Sequence, residues 1–176
     1  WQRVLDLASL RVRLSMRIAA AAPIVDPTAP ISFQPAITQS TGAGGGVPVV
    51  NITAPNAAGI SLNQYQQFNI DPVGLILNNS LMSGTSLTGG NVQANANLNG
   101  RTASVIVNQV TSTGNAYASM LNGPLEVFGA PATVVIANPN GITTRGTGFT
   151  NTIGVTLSTG APQFLGSVGG TATDFA

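Results

Sequence analysis

The stretch Ala132-Thr-Val-Val-Ile-Ala-Asn-Pro-Asn-Gly-Ile142 changes character in its middle, and this change decides the fold. Its first half is rich in β-branched side chains, which fit the pleated surface of a strand. Pro139 then removes a backbone donor and fixes φ, and Asn140-Gly141 is a pair that favours a turn with positive φ. The stretch therefore predicts a strand, a sharp corner and a second short strand that starts at Ile142. On its own, the tetrapeptide Asn138-Pro-Asn-Gly141 is also typical of a plain β-hairpin or loop corner.

An apolar run that ends on asparagine recurs along the chain. Asn78, Asn108 and Asn138 end three such runs at equal spacing, and similar runs end at Asn51 and Ser158. Recurrence at roughly 20 to 30 residues is typical of a solenoid, whose rungs stack in parallel. Asparagine suits the corners because it tolerates the left-handed region and its amide can bond to the next rung. The alternative is an antiparallel sandwich in which the equal spacing is a coincidence.

Charged side chains are scarce in this chain. They make up 6% of the 176 residues, against about 25% in an ordinary domain. Four of the six arginines lie before residue 18, and the remainder, with two arginines and four carboxylates, has a net charge of −2. This distribution gives no footprint for nucleic-acid binding. The chain has no cysteine, and no apolar run approaches the ~20 residues of a membrane helix, so stable membrane insertion is not expected.

The composition divides the chain into three segments. Residues 1–22 are dense in Leu, Ala and Arg, and Arg17 precedes a run of small residues, which indicates either the remnant of a signal peptide or a stray tail. Residues 23–46 contain four prolines and end in a glycine-rich run, so they are predicted to be a linker. The ordered domain is predicted to occupy residues 47–176.

The sequence offers little for catalysis, since it has no His, Cys or Lys. The carboxylates of the predicted domain are Asp71, Glu126 and Asp174, and none forms a close pair in sequence. Alternation along Leu125-Glu-Val-Phe128 predicts that Glu126 lies on a solvent face. A two-carboxylate glycosidase on a solenoid is the enzymatic alternative. Metal, phosphate and nucleophile motifs are absent, so the sequence predicts no enzyme, no cofactor, no metal and no small-molecule substrate.

Six segments resemble, in the same order, the two-partner-secretion domain, also called the filamentous-haemagglutinin-type N-terminal domain. They are Val47-Pro-Val-Val-Asn-Ile52, Asn63-Gln-Tyr-Gln-Gln-Phe-Asn69, Leu77-Asn-Asn79, Val105-Ile-Val-Asn-Gln-Val110, Gly123-Pro-Leu-Glu-Val-Phe-Gly129 and Asn138-Pro-Asn-Gly-Ile142. Six ordered segments are more specific than one tetrapeptide. The family's second signature, Asn-Pro-Asn-Leu, matches Asn95-Ala-Asn-Leu98, where Ala96 lacks the fixed φ of proline.

The resemblance implies an all-β fold, a right-handed parallel β-helix of the pectate-lyase type with an N-terminal cap and extra-helical hairpins. The family's domain is longer than this chain, so C-terminal rungs are expected to be missing. The implied role is that of an export address on a large exoprotein, either an adhesin, a haemagglutinin or a contact-dependent inhibition toxin. The POTRA domains of an outer-membrane transporter would recognise the monomeric domain in the periplasm of a Gram-negative bacterium. The chain would then cross the barrel unfolded and fold outside, secreted or at the cell surface.

The resemblance also marks the candidate residues for transporter recognition. The first group is Asn138, Pro139, Asn140, Gly141 and Ile142, and the second is Asn95, Asn97 and Leu98. The alternative is that these residues are structural corners, since a broken corner would also stop secretion. The rival function is a β-solenoid adhesion module that binds a host surface or glycan directly through a flat face of Thr, Asn and Ser.

Overall fold

The computed structural model describes residues 22–162, and nearly all regular structure there is strand. The strands are β1 Ile24–Val25, β2 Ala36–Gln39, β3 Pro48–Asn51, β4 Ile60–Gln67, β5 Leu75–Asn79, β6 Gly84–Ser86, β7 Gly90–Val92, β8 Val105–Val110, β9 Ser119–Leu121, β10 Leu125–Gly129, β11 Ala132–Ala137, β12 Ile142–Thr144, β13 Phe149–Thr150 and β14 Thr152–Ser158. The helical elements of this part are short 3-10 turns at Ile31–Phe33, Ala96–Leu98 and Asn115–Tyr117. No helix in residues 22–162 has the length and apolar character to cross a membrane.

Most strands belong to two five-stranded sheets, with the orders β1-β4-β8-β11-β14 and β13-β10-β5-β3-β2. Strands far apart in sequence pair in parallel, as β4 with β8 and β8 with β11, because the chain leaves a sheet at a corner and returns one rung later. β9 and β12 form a third parallel pair, which Ile70 extends through a bridge to Leu121. The chain therefore winds as a parallel β-helix, which confirms the predicted fold.

The core lies inside the helix, where alternate side chains of the facing sheets meet. Its members include Val50, Leu75, Leu77, Leu125 and Val127 from one sheet and Tyr65, Ile106, Val110, Val134 and Ile136 from the other. Tyr65 and Phe68 are fully buried, with ring centroids 5.0 Å apart at 66°, an edge-to-face arrangement that aromatic pairs favour. The Tyr65 hydroxyl donates to Asn108 Oδ1 at 3.1 Å, and burial raises its pKa well above the usual value.

Residues 23–46 form an ordered N-terminal cap, so the prediction of a linker there and of ordered structure only from residue 47 is wrong. β1 pairs antiparallel with β4, and β2 pairs antiparallel with β3. The prolines of this segment lie outside its two strands, which have only two and four residues, so none of them interrupts the hydrogen bonding of a strand. The two antiparallel strands cover the edges that the first rung would otherwise expose. This confirms the cap that the family resemblance implies.

The hairpin of β6 and β7 stands outside the helix and covers the outer face of the second sheet. Beneath it lies a buried apolar cluster of Val47, Val49, Ile76 and Val92, with Phe128 packed against it. Alternation correctly places Glu126 on this outer face, but the prediction of solvent contact is wrong, because the hairpin leaves Glu126 only 3% exposed. Glu126 Oε1 accepts from the Leu87 N–H at 3.0 Å, and Oε2 accepts from the Thr88 N–H at 2.7 Å.

The three evenly spaced asparagines are not equivalent, so that part of the repeat prediction is wrong. Asn78 lies in β5 of the second sheet, in register with Asn51 of β3, which makes the step from Asn51 to Asn78 a true rung. Asn108 lies within β8 of the other sheet and is in register with Ile136. Of the three, only Asn138 follows the end of its strand and forms a corner.

Candidate functional site: two asparagine corners

The corner at Asn138 is closed by hydrogen bonds within the signature itself. Asn138 Oδ1 accepts from the Asn140 N–H at 2.9 Å, and the Gly141 N–H donates to the Asn138 carbonyl at 3.0 Å. Such a short-range side-chain bond is an Asx turn, which asparagine forms readily. Gly141 has φ +109°, a conformation that side-chain-bearing residues rarely adopt. The predicted sharp corner is therefore present, and local hydrogen bonds and backbone conformation explain why asparagine and glycine occupy these positions.

The Asn138 side chain also ties this corner to an earlier segment of the chain. Its Nδ2 donates to the Tyr117 carbonyl at 2.7 Å and to Ser119 Oγ at 2.8 Å. Asn138 is fully buried, and its backbone N–H donates to the Ser158 carbonyl at 2.9 Å in the next rung. One short side chain thus serves as acceptor and donor at once, which joins the corner to the start of β9.

Asn140 holds the neighbouring loop in the same way. Its Nδ2 donates to the Ser112 carbonyl at 2.7 Å, and its Oδ1 accepts from the Gly114 N–H at 2.8 Å. The third amide bond of Asn140 runs to Asn138 Oδ1 at 2.8 Å. The two signature asparagines therefore fasten residues 112 to 119 against the corner.

The remaining two residues of this signature differ in exposure. Pro139 is exposed to solvent. Ile142 is partly buried, packs against the main core and opens β12, where it is in register with Ser119 of β9. The corner thus presents its proline to solvent and returns its isoleucine to the core.

The second signature repeats the arrangement at another corner. Asn95 Oδ1 accepts from the Asn97 N–H at 3.0 Å, and Asn95 Nδ2 donates to the carbonyls of Ile52 at 3.0 Å and Asn78 at 2.8 Å. Asn97 Nδ2 donates to the Asn51 carbonyl at 3.1 Å. In both signatures the first asparagine closes an Asx turn and binds across the rungs, while the second reaches a separate segment.

The residue at the proline position of the second signature is exposed, as it is in the first. Ala96 begins a 3-10 turn that ends at the buried Leu98, and Asn95 is extended with φ −86° and ψ 101°. The corner therefore keeps its geometry without proline, and Leu98 supplies the apolar anchor. The structure places the two signatures at separate corners, and no side-chain hydrogen bond within residues 22–162 joins them.

Two further asparagines, outside the predicted site, also bind separate segments of the chain through their side chains. Asn79 Oδ1 accepts from the Ala103 N–H at 2.8 Å, and its Nδ2 donates to the carbonyls of Ala103 at 2.8 Å and Ala130 at 2.9 Å. Asn151, with φ +56°, donates to the Val127 carbonyl at 2.7 Å. The signal in the sequence was an asparagine at the end of an apolar strand, as in Leu77-Asn-Asn79.

Across the described part of the chain, every buried side-chain nitrogen or oxygen has a hydrogen-bond partner. The buried polar groups include six asparagines, namely Asn63, Asn78, Asn79, Asn95, Asn108 and Asn138. Unpaired buried amides cost free energy, so satisfying all of them makes each corner specific for its own geometry. No group of three or more His, Cys, Asp or Glu side chains that could hold a metal occurs in the same residues.

A parallel β-helix with capped rungs and asparagine corners defines the class of this molecule, and comparison with known proteins defines its family. The model of the TPS secretion domain family matches residues 23–173. The crystal structure of the filamentous hemagglutinin secretion domain is similar, with a TM-score of 0.69 and 41% identity over 85% of this chain and 45% of that one. The chain therefore belongs to the TPS secretion domain family, as the resemblance of its signatures implied.

Three related proteins are much longer than this chain. The chain is 55% identical over 123 residues to the tRNA nuclease CdiA of Yersinia mollaretii. The aligned region covers 69% of this chain and 4% of that protein. It is 48% identical over 120 residues to a hemolysin of Proteus mirabilis, a match that covers 68% of this chain and 7% of that protein. It is 46% identical over 129 residues to the filamentous hemagglutinin of Bordetella pertussis, a match that covers 73% of this chain and 4% of that protein. The chain thus matches only a small fraction of the length of these relatives.

Proposed function

We propose that this secretion domain is the export address of a large exoprotein and is recognised in the periplasm of a Gram-negative bacterium. The proposed partner is the set of POTRA domains of a dedicated outer-membrane transporter. The chain then crosses the barrel unfolded and folds outside, at the cell surface or in the medium. The stacking of rungs supports this route, because each parallel strand pairs with strands of the neighbouring rungs and folding can proceed as the chain emerges. The lack of cysteine means that no disulfide hinders threading.

We assign the signature asparagines a role in folding. Asn95 and Asn138 are buried and their amides are hydrogen-bonded within the chain, so a folded domain does not offer these atoms to a partner. Loss of either corner would therefore impair export through failure to fold outside the cell. This supports the structural interpretation over direct contact with the transporter.

The rest of the exoprotein is proposed to be an adhesin, a haemolysin or a contact-dependent inhibition toxin, in keeping with the names of the relatives. The domain itself is proposed to be monomeric and non-catalytic, with no cofactor. Two of its carboxylates support this, because Asp26 and Glu126 are buried and accept hydrogen bonds from nearby backbone and hydroxyl groups. Buried acids engaged in this way hold the fold together and do not face a substrate.

The test is a pull-down of the full chain, diluted from urea, with the POTRA domains of the transporter that exports it. Wild type is compared with Asn138→Ala and Asn140→Ala, and circular dichroism follows refolding of each variant. Asn115→Ala is the matched control, since Asn115 is exposed and its side chain makes no hydrogen bond within the described part.

The expected result is that wild type, Asn115→Ala and both signature variants all bind, because recognition precedes folding, while circular dichroism shows that the two signature variants refold less completely. Binding lost with an unchanged β spectrum would overturn the folding role and assign the asparagines to recognition. Absence of wild-type binding to the correct transporter would contradict the export role and favour the adhesion module.

A further inference from the structure

An open groove lies on the outer face of the second sheet, between the N-terminal cap and the second asparagine corner. Its volume is about 310 Å³. The floor consists of two cross-strand pairs of β2 and β3, namely Ala36 with Asn51 and Thr38 with Val49. One wall is the segment 92–97, which runs from the end of β7 into the second corner. The groove therefore depends on the packing of the cap, the hairpin and this corner against one another.

The described residues that line this groove are all uncharged. Thr38, Gln93 and Asn97 supply a hydroxyl and two amides, and Ala94 and Ala96 add small apolar groups between them. A cationic ligand would meet no carboxylate here, and an anionic ligand would meet no arginine. An ion that left water for this groove would therefore lose hydration without gaining an opposite charge. The lining favours a neutral, polar ligand.

Each of the three polar side chains is held by one hydrogen bond and keeps further hydrogen-bonding capacity. Thr38 Oγ1 accepts from Asn51 Nδ2 at 3.1 Å, so its own O–H is left as a donor. Asn97 Nδ2 donates to the Asn51 carbonyl at 3.1 Å, which leaves Asn97 Oδ1 as an acceptor. Gln93 Oε1 accepts from Ser83 Oγ at 3.2 Å, which leaves the Gln93 NH₂ group as a donor. The existing bonds fix how these side chains are oriented before any ligand arrives.

This arrangement of donors and acceptors matches the chemistry of sugar hydroxyls. A hydroxyl both donates and accepts, so neighbouring hydroxyls of one sugar can satisfy the donors of Thr38 and Gln93 and the acceptor of Asn97. The methyl groups of Ala94 and Ala96 offer apolar contact to the C–H groups of a sugar ring. The volume lies at the lower end of the roughly 300–1,000 Å³ of small-molecule sites, which suits a single sugar unit.

We propose that this groove binds a neutral, hydroxyl-rich saccharide unit. The proposal goes beyond the export role and does not rest on it. Thr38 and Gln93 donate to oxygens of the sugar, Asn97 accepts from one of its hydroxyls, and Ala96 packs against its ring. Because the cap, the hairpin and the second corner all contribute, only the folded domain carries the site. In the proposed export route the site therefore forms outside the cell.

The test is an NMR titration of the full refolded chain with the methyl glycosides of glucose, galactose, mannose and N-acetylglucosamine. Sialic acid and glucosamine serve as charged comparators. Gln93→Leu removes the amide, and Ala96→Pro adds ring atoms to the wall at an exposed position that opens a 3-10 turn.

The matched control is Gln66→Leu, the same change at a half-buried position of β4 in the other sheet. Circular dichroism and melting temperature verify that each variant is folded.

We expect at least one neutral glycoside to shift the side-chain amide signals of Gln93 and Asn97 in a saturable way. Gln93→Leu and Ala96→Pro should each weaken this binding about tenfold, and Gln66→Leu should bind like wild type. The absence of saturable shifts with every neutral glycoside would overturn the site, as would wild-type affinity retained by both folded groove variants. Equal binding of the charged comparators would overturn the neutral ligand class. Each of these outcomes leaves the export role standing.

Discussion

At the scale of single residues, the corners depend on the size and chemistry of asparagine. Its amide carries an acceptor and a donor on one carbon beyond Cβ, so the same side chain can close a turn and bind a second segment. Asn138 and Asn95 use the oxygen for the turn and the nitrogen for the neighbouring chain. Aspartate would keep the first function and lose the second, and serine is too short for both.

The alanine of the second signature leads to a prediction. Ala96 is exposed, begins a 3-10 turn and follows an extended residue, which is where proline fits without strain. Ala96→Pro should raise the free energy of unfolding by about 0.4–1 kcal/mol, because proline narrows the unfolded ensemble. Urea denaturation measures this change.

The matched control is Ala116→Pro, another exposed alanine in a 3-10 turn, but at its second position. Proline there would push Asn115 out of its helical conformation, so this variant should not gain stability. A destabilised Ala96→Pro would show that the second corner does not have the conformation that proline requires.

The residue scale is also where sequence was most informative. Pro139 and Asn140-Gly141 carry their conformational preference locally, so the corner was predictable from residues 138–142 alone. The partners of Asn138 were not, because the Tyr117 carbonyl lies 21 residues earlier and reaches the corner only through the path of the intervening loop. Asn79 was missed as a site residue for the same reason, since its partners lie 24 and 51 residues away.

At the scale of elements, one carboxylate binds the tip of the hairpin of β6 and β7 to the helix. Glu126 accepts the N–H groups of both Leu87 and Thr88 at the hairpin tip. Glu126→Gln replaces one oxygen by an NH₂ group, which faces an N–H and cannot accept from it. We expect a loss of about 1–3 kcal/mol in the free energy of hairpin opening, as for a buried donor left unpaired.

Hydrogen exchange measures this opening directly. The amides of Leu87 and Thr88 should exchange faster in Glu126→Gln, while the amides of β11, which lies in the other sheet, serve as the internal reference. Unchanged protection at the hairpin tip would show that the apolar cluster beneath it holds the hairpin without Glu126.

The cap contains a second buried carboxylate, and it makes stability depend on pH. Hydrogen bonds from the Thr111 and Thr28 hydroxyls hold the pKa of Asp26 below its ordinary value of 3.8. A lowered folded-state pKa contributes stability that is present above the unfolded pKa and is lost as the pH falls through the folded one. Wild type should therefore exceed Asp26→Asn in stability at neutral pH, and the difference should shrink below about pH 4.

Urea midpoints of the two proteins, measured from neutral pH to about pH 2.5, check this prediction. Asp26 joins the segment after β1 to Thr111 after β8, so the measurement reports how firmly the cap is attached. A difference in stability that stays constant over this range would contradict a role for the ionised carboxylate.

The sequence predicted which segments form strands but not which strands pair with each other. The β-branched runs identified β5, β8 and β11 correctly, yet the equal spacing of their asparagines suggested a single stack. The structure pairs Ile60 with Val105 and Val105 with Thr133, so the first step along this sheet is much longer in sequence than the second. Hairpins and loops of unequal length are inserted between the rungs. An equal spacing in sequence therefore does not mean that two residues are in register. The linker prediction failed because prolines occur at the ends of short strands as well as in segments without strands.

At the scale of the whole molecule, each rung is stabilised by its neighbours and the corners set the path between them. The charge-poor surface and cysteine-free chain fit a domain that is threaded and then folds from one end. In this account the signature asparagines matter for export because they determine whether the rungs close. The central claim is therefore one about stability.

Chemical denaturation of Asn138→Ala tests that claim most directly, with Asn115→Ala as the control. Removing the Asn138 amide leaves the Tyr117 carbonyl and the Asn140 N–H without their partner. Ser119 Oγ, which is buried, also loses its Asn138 partner, whereas the first two groups are partly buried. A buried group left unpaired costs roughly 1–3 kcal/mol, so the account predicts a loss of about 2 kcal/mol for Asn138→Ala and no measurable loss for Asn115→Ala. An unchanged midpoint and slope for Asn138→Ala would contradict it, because the corner would then hold without its signature asparagine.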